Sequence, residues 1–454
     1  MAHTESVSKQ APEPLAVETF ARFAMGFVQA PLPPEVAHHA QRAVIDWYAS
    51  IYPGLNTPAV QVLTHTLADD LDRGAAQLVQ GRAATPRAAA LIQGTAAHAA
   101  EVDDSFRDAM YHPGAATIAA ALAVAQSVGA SGPEFLRAVV LGYEVSTRIG
   151  VVMGRPHYQY WHNTGTMGSF GAAAAAASLL RLDEVAFANA LAIAATFTAG
   201  LQQAFRTEAM AKPLHAGRAA EAGVLAAQLA AGGMRSSLDV LEGESGLGQA
   251  MGHGPDWSQI GATLGSDFHI TRLTFKNHIG CGHTFAAIDG ALALQQQHGF
   301  GHADIERVQL GVYQPTLDIA PHVDPQNADQ ARFSLHYMVA TALVHGSVRL
   351  SAFEPERLSD PHTRALMQRI DKALDPVVDA AFPGRRGARV AITLRDGRQL
   401  NLLQPDRKGD PELPLSDTDL EGKLMELATP VIGERQARDL LSRIWQLHQS
   451  ARLC

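Results

Sequence analysis

Gly168-Ser-Phe-Gly-Ala-Ala-Ala-Ala-Ala-Ala177 runs for ten residues with almost no polar face. A helix of this composition must be covered on several sides, and its small side chains let neighbouring helices come close. It reads as the core helix of a helical fold. Outward from it, the sequence from about residue 15 to about residue 265 is rich in Ala, Leu and Val in helical period, punctuated by Gly and Pro. Pro34–Tyr48 opens with proline in a first turn, where a missing N–H is no loss, and sets Val36, Ala40, Ala43, Val44 and Trp47 near one face. Pro113–Val128 and Pro133–Ile149 repeat that plan.

After about Ile270 the texture changes. Val308–Tyr313 and Arg389–Leu394 alternate apolar with polar residues between turn residues, as half-buried strands do. Asp396-Gly397 stands between Arg389–Leu394 and Arg398–Leu403 as a hairpin turn. Gln404–Leu415, with three prolines and Gly409, reads as a loop, and Thr418–Leu453 as two closing helices that return to the first part. The fold expected is mainly α: a large all-helical domain (15–269 with 416–454) and a smaller α/β, or α+β, lid domain (270–415). Residues 1–14 are expected to form a flexible arm.

Composition narrows the function. Lys and Arg number 36 against 45 Asp and Glu, a net charge of -9, the wrong sign for wrapping polyanions, so no nucleic-acid partner is expected. The chain's only cysteines, Cys281 and Cys454, cannot build a disulfide framework or an iron–sulfur cluster, and fit a reducing, cytoplasmic setting. Met1–Pro14 lacks the basic-then-apolar order of a secretory signal, and no apolar run is long enough to span a bilayer. Gly-x-Gly-x-x-Gly after a strand, a Walker loop and a Gly-x-Ser-x-Gly elbow are all missing, which sets aside nucleotide chemistry and serine hydrolysis.

Four stretches remain that could carry chemistry, each feeding a helix start. Glu101–Pro113 combines acidic residues with His112; read blandly, its acids cap a helix in a solvated loop. Trp161–Gly168 brings His162, Thr164 and Thr166 to the mouth of the alanine helix, where free backbone N–H groups suit a carboxylate, although a threonine N-cap would look the same. Ala211–Arg218 places Lys212 before a helix whose first turns carry His215 and Arg218 on one side; a lysine there opposes the helix dipole unless an anion lies between them. Asn277–Thr284 holds His278 and His283 across two glycines. No third ligand stands nearby, so no metal is expected, and Cys281 reads as a small packed residue. His, Lys, Arg, Tyr and carboxylate are thus the only reagents, a set that handles small anions and moves protons.

Six blocks in order, Glu101–Pro113, Gly142–Gly150, His162–Leu180, Lys212–Gly233, Phe275–Leu294 and Ala331–Tyr337 with Gly346, resemble the MmgE/PrpD family. That family includes 2-methylcitrate dehydratase, cis-aconitate decarboxylase and iminodisuccinate epimerase. The resemblance implies a large helical domain with a smaller α/β lid, a homodimer, and chemistry without metal or cofactor. It also implies a carboxylate-binding pocket formed by Glu101, Asp104, Ser105, His112, His162, Lys212, His278, His283 and Tyr337. This chain departs from the family pattern in carrying Glu101 for the usual Asp and Ser105 for the usual Thr. Gly280-Cys281-Gly282 also replaces Cys-Cys-Arg, which removes a carboxylate-clamping arginine and weakens 2-methylcitrate as the expected substrate.

The expected reaction is proton transfer next to a carboxylate of a small di- or tricarboxylic acid. His112 and His162 would be base and acid, with Glu101 or Asp104 orienting one of them. Lys212, Thr164, Thr166 and Arg218 would hold carboxylates, with Ser105, His278 and His283 also lining the pocket, and Tyr337 would supply a proton from the second face. Dehydration or decarboxylation is the leading outcome, epimerisation of an amino-dicarboxylate such as iminodisuccinate the runner-up, and a non-catalytic helical binding protein the alternative of another class.

Overall fold

The computed structural model describes residues 14–205 and 209–453. The expected arm lies outside the described residues up to residue 13, as does Cys454. Among the described residues nine α-helices come first: α1 (Ala16–Phe27), α2 (Pro34–Leu55), α3 (Pro58–Thr66), α4 (Pro86–Ala99), α5 (Pro113–Val128), α6 (Gly132–Tyr158), α7 (Asn163–Leu179), α8 (Glu184–Phe197) and α9 (Ala211–Ala231). A small antiparallel pair, β1 (Leu71–Gln77) and β2 (Ala83–Ala84), interrupts them, a detail the helical period gave no hint of.

Helix α7 contains the alanine run and buries every residue from Asn163 to Ala177. It is surrounded by α5, α6, α8 and α9. Contact is close because the facing side chains are hydrogen or methyl: a Cβ added to Gly223 of α9 would collide with Ala172 and Ala173 of α7. The same holds between α9 and α4, where a Cβ on Gly217 would overlap the Thr95 hydroxyl and the Leu91 carbonyl. The first contact holds α9 against α7, and the second holds the start of α9 against α4.

The caps follow the sequence. Thr85 caps α4, Ser131 forms a capping box with Glu134 on α6, and Asp183 caps α8. By contrast α5 and α7 have His112 and His162 at the N-cap, and α9 has Met210, none with a side-chain capping bond. Those three helix starts and the end of α4 meet at one place.

Beyond α9 come α10 (Leu247–Gly252), α11 (Phe285–His298), α12 (Gln314–Ile319), α13 (Ala328–Arg332) and α14 (Leu335–His345), together with a four-stranded sheet in the order β4-β3-β5-β6. Its strands are β3 (Ile305–Val312), β4 (Ile370–Leu374), β5 (Ala388–Leu394) and β6 (Gln399–Gln404). β3 runs parallel to β4 and antiparallel to β5, and the Asp396-Gly397 turn joins β5 to β6 with Gly397 at φ +90°. α11 covers one face of β5 and β6. The fold is mainly α with a small α/β part. The closing helices Asp417–Ile432 and Glu434–Trp445 return to α2, where the buried Lys423 ammonium donates to Asp46 Oδ1 and to the Val102 carbonyl, both at 2.6 Å. No helix among the described residues is long and apolar enough to cross a membrane.

Candidate active site

His98 occupies the last turn of α4, and the chain then turns sharply through Glu101, whose φ of +61° is unusual for a residue with a Cβ. This turn presents Glu101 and Asp103 to the starts of α5, α7 and α9. The Lys212 ammonium donates to the Glu101 carboxylate, and Lys276 Nζ donates to the Glu101 carbonyl at 2.8 Å. His112 Nδ1 lies 2.6 Å from the Asp104 carbonyl and 3.5 Å from Asp103 Oδ2. His162 Nδ1 and His215 Nδ1 are 3.0 Å apart, so one carries the shared proton and the other accepts it. The ring centroids of His98 lie 5.0 Å from those of His112 and 5.5 Å from those of His162.

The cluster has a front and a back. The side chains of His112, Lys212 and Glu101 are 21%, 24% and 26% exposed, whereas His98 is 0% and Asp103 2% exposed. Burial dominates the electrostatics. It presses the His112 imidazole down to about 3, with Lys276, His98 and Lys212 adding to the effect against the pull of Asp103. Burial, with His98 and Lys212, holds His162 well below its usual range, and burial lowers His215. Both candidate proton carriers are therefore neutral at physiological pH and able to accept a proton. Burial opposes ionisation of Glu101, but Lys212, Lys276 and His98 outweigh it and set the carboxyl at about 2. For Lys212 the attraction of Glu101 overcomes burial and raises it, while Lys276 is lowered because burial prevails over Asp103 and Glu101.

Of the residues singled out from sequence, Glu101, His112, His162 and Lys212 come together, with Thr164 beside them accepting the His112 backbone N–H at 3.4 Å. Ser105 is half-buried on the same loop, exchanging backbone hydrogen bonds with Thr274 at 2.9 and 2.8 Å. Others face elsewhere. Asp104 is turned inward: Tyr143 donates to Oδ2 at 2.7 Å and the Gly114 N–H to Oδ1 at 3.0 Å, and burial raises its carboxyl to about 8. Its carboxylate serves the start of α5, and only its carbonyl touches His112. Thr166 meets His157 Nε2 at 2.8 Å, and its hydroxyl touches the cluster only through the His162 backbone carbonyl at 3.4 Å. Arg218 is exposed and paired with Glu221, which draws it off the His215 side of α9.

The fourth loop also separates. His278 pairs with Asp289 at 2.9 Å and His283 with the Tyr313 hydroxyl at 2.8 Å. Tyr337 is fully buried, its hydroxyl donating to the Ala352 carbonyl. Cys281 is buried and its thiol pushed up to about 11, so it is no nucleophile. A surface crevice of about 390 Å³ lined by Met25, Arg137, Arg181 and Phe187 contains none of these groups.

Sequence reading overlooked three members. His98 looks like filler in an alanine helix, Asp103 is one of two adjacent aspartates, and Lys276 stands just ahead of the more conspicuous His278. The spacing from His98 to Asp103 was the available signal: a histidine in a helix's last turn followed by carboxylates can fold back on them. His98, Asp103 and His112 hold donor atoms within 4.8 Å of one another, as a divalent cation would require. The set suits one poorly, because the Lys276 ammonium is 3.9 Å from Asp103 Oδ1 and His112 Nδ1 is already at hydrogen-bond distance from a carbonyl.

The chain is 27% identical over 447 residues to the cis-aconitate decarboxylase-like protein oryM of Aspergillus oryzae, an alignment covering 92% of each chain. It is 26% identical over 381 residues to cis-aconitate decarboxylase of Mus musculus, covering 80% of this chain and 76% of that one. It is 30% identical over 118 residues to 2-methylcitrate dehydratase of Escherichia coli O157:H7, covering 25% and 24%. Residues 18–260 match the MmgE/PrpD N-terminal domain and residues 278–448 the MmgE/PrpD C-terminal domain. With most of its length matched in the order of the six sequence blocks, the chain belongs to the MmgE/PrpD family.

Proposed function

We propose that this protein is a lyase that transfers a proton at a carbon next to a carboxylate of a small di- or tricarboxylic acid, without a cofactor, and that decarboxylation of a cis-aconitate-type substrate is its reaction. The observation that carries this reading is the gathering of the His112 and His162 rings around His98, at the starts of α5 and α7, beside the Lys212 and Lys276 groups that both donate to Glu101. Decarboxylation is favoured over dehydration because the decarboxylase relatives align over most of the chain, the dehydratase over a quarter of it.

A substrate carboxylate would share Lys212 with Glu101 and take the positive ends of α7 and α9. As a carbon–carbon bond to a carboxylate breaks and carbon dioxide leaves, its electron pair forms an enolate-like system. The ammonium groups and helix starts offset that charge, a contribution of about 3 kcal/mol for one well-placed donor. An imidazole then delivers the proton that makes the new C–H bond. Neutral in the resting site, it is protonated more easily once an anion displaces the water beside it. The sheet-bearing part of the chain would cover the site as a lid.

Proton NMR of the protein with cis-aconitate, citrate, 2-methylcitrate and iminodisuccinate in deuterated water tests this. Loss of carbon dioxide with deuterium on the product carbon supports decarboxylation. A new alkene without carbon dioxide loss would replace it by dehydration, deuterium uptake with no new compound by epimerisation, and no change in any trial by a binding protein.

A further inference from the structure

Behind the groups that reach solvent lies a buried pair. His98 Nδ1 is 2.7 Å from Asp103 Oδ2, and the same oxygen is 3.5 Å from His112 Nδ1. At that separation His98 Nδ1 carries a proton toward the carboxylate, so Nε2, on the other side of the ring, faces away from Asp103. Among the described residues His98 Nε2 has no hydrogen-bond partner, and Asp103 Oδ1 has none either, facing only the Lys276 ammonium at 3.9 Å. An imidazole nitrogen with no partner and a carboxylate oxygen without a hydrogen bond in a dry interior cost stability. A purely structural residue here would be better replaced by an apolar one, so the pair calls for another explanation.

Its surroundings supply one. The His98 ring is neighbour to both His112 and His162, and the charged or titratable groups whose fields reach it are Glu101, Asp103, His112, His162 and His215. Asp103 is the negative charge behind the imidazoles. Burial works against its ionisation, but His98 and His112 prevail and hold the carboxyl far below the usual range.

We propose that His98, oriented by Asp103, is a positioning residue for the proton-transfer groups: packed against both rings, it fixes the alignment of His112 and His162 and, with the Asp103 carboxylate behind it, stabilises whichever of them becomes imidazolium. This rests on the proton-transfer reading given above. His112 takes a proton from solvent in each turnover and gives it to the carbon that carbon dioxide has left, so His98 and Asp103 end each cycle unchanged. A carboxylate behind a histidine acts in this way through geometry and charge, without itself taking the proton.

His98→Gln and Asp103→Asn test it against wild type. Each is expected to lower kcat at least thirtyfold with KM within threefold. In Asp103→Asn the alkaline limb of the kcat profile, where the proton-delivering imidazole is lost, is expected to move to lower pH, because removing a negative charge makes His112 harder to protonate. Nitrogen-15 NMR of the histidine rings in the resting wild-type protein needs no substrate, and is expected to show His98 with its proton on Nδ1. Retained kcat and an unmoved pH profile in both variants would overturn the proposal, as would a His98 ring protonated on Nε2 alone. Inactivation of the wild type by a chelator with recovery on adding zinc would also overturn it, making the trio a metal site. A wild type inert toward every polycarboxylate would sink the proposed function, while the ring tautomer still decides this one.

Discussion

Lys212 meets two opposed demands: the start of α9 repels it, and the Glu101 carboxylate holds it there. An arrangement that concentrates positive potential and then partly neutralises it from within is suited to exchanging one carboxylate for another. Lys276 is the second cation, and its carbonyl partner is weaker than a carboxylate, so it can serve substrate more readily. Lys276→Ala is expected to raise KM for the polycarboxylate at least tenfold while kcat falls less, as measured by steady-state release of carbon dioxide; an unchanged KM would remove Lys276 from substrate binding. At this scale the sequence was informative where a reactive residue abuts a helix start, as His112, His162 and Lys212 do. It was silent on His98 and Asp103, because their importance depends on a turn that folds one onto the other. At Arg218 the spacing showed a cation three residues from His215 but not that Glu221, three further on, pairs with the guanidinium.

Among the elements, the crossing of α4 and α9 sets the distance between His98 and Lys212. Gly217 lets the helices touch, and there is no room for a methyl against Thr95 and Leu91. Gly217→Ala is therefore expected to cost at least about 2 kcal/mol of stability, read as a lower denaturant midpoint, with a loss of activity larger than the unfolded fraction explains. An unaffected midpoint would mean the helices are not locked there. Element type was legible wherever burial imposes a period. β5 alternates along its whole length, and α7, apolar on every side, is buried on every side. β4 was not legible, since Ile370-Asp-Lys-Ala-Leu374 lies at the sheet edge with only its first residue buried and so shows no alternation.

For the whole molecule, burying so many neutral imidazoles couples stability to pH. Burial sets His112, His269 and His283 at about 3 and His157 at about 4, against 6.5 for a free histidine, and lowers His162 as well. The unfolded chain therefore binds more protons than the folded one between about pH 6.5 and pH 4, and stability falls as pH drops through that window. Asp104 at about 8 and Glu144 at about 7, both raised by burial, act in the opposite sense above about pH 4.5, but the imidazoles outnumber them. Scanning calorimetry is expected to give a Tm at pH 5 at least about 5 °C below that at pH 7; a flat or rising Tm would contradict the burial of neutral histidines. The claim on which the functional account stands is that His162 and Lys212, fifty residues apart in the chain, serve one reaction centre. Its most direct test is kcat for carbon dioxide release from cis-aconitate by His162→Ala, Lys212→Ala and Arg218→Ala beside wild type. The account predicts a loss of at least a hundredfold, about 2.7 kcal/mol, in the first two with an intact fold, and a value within twofold of wild type for Arg218→Ala. Near-wild-type turnover in either of the first two would contradict it.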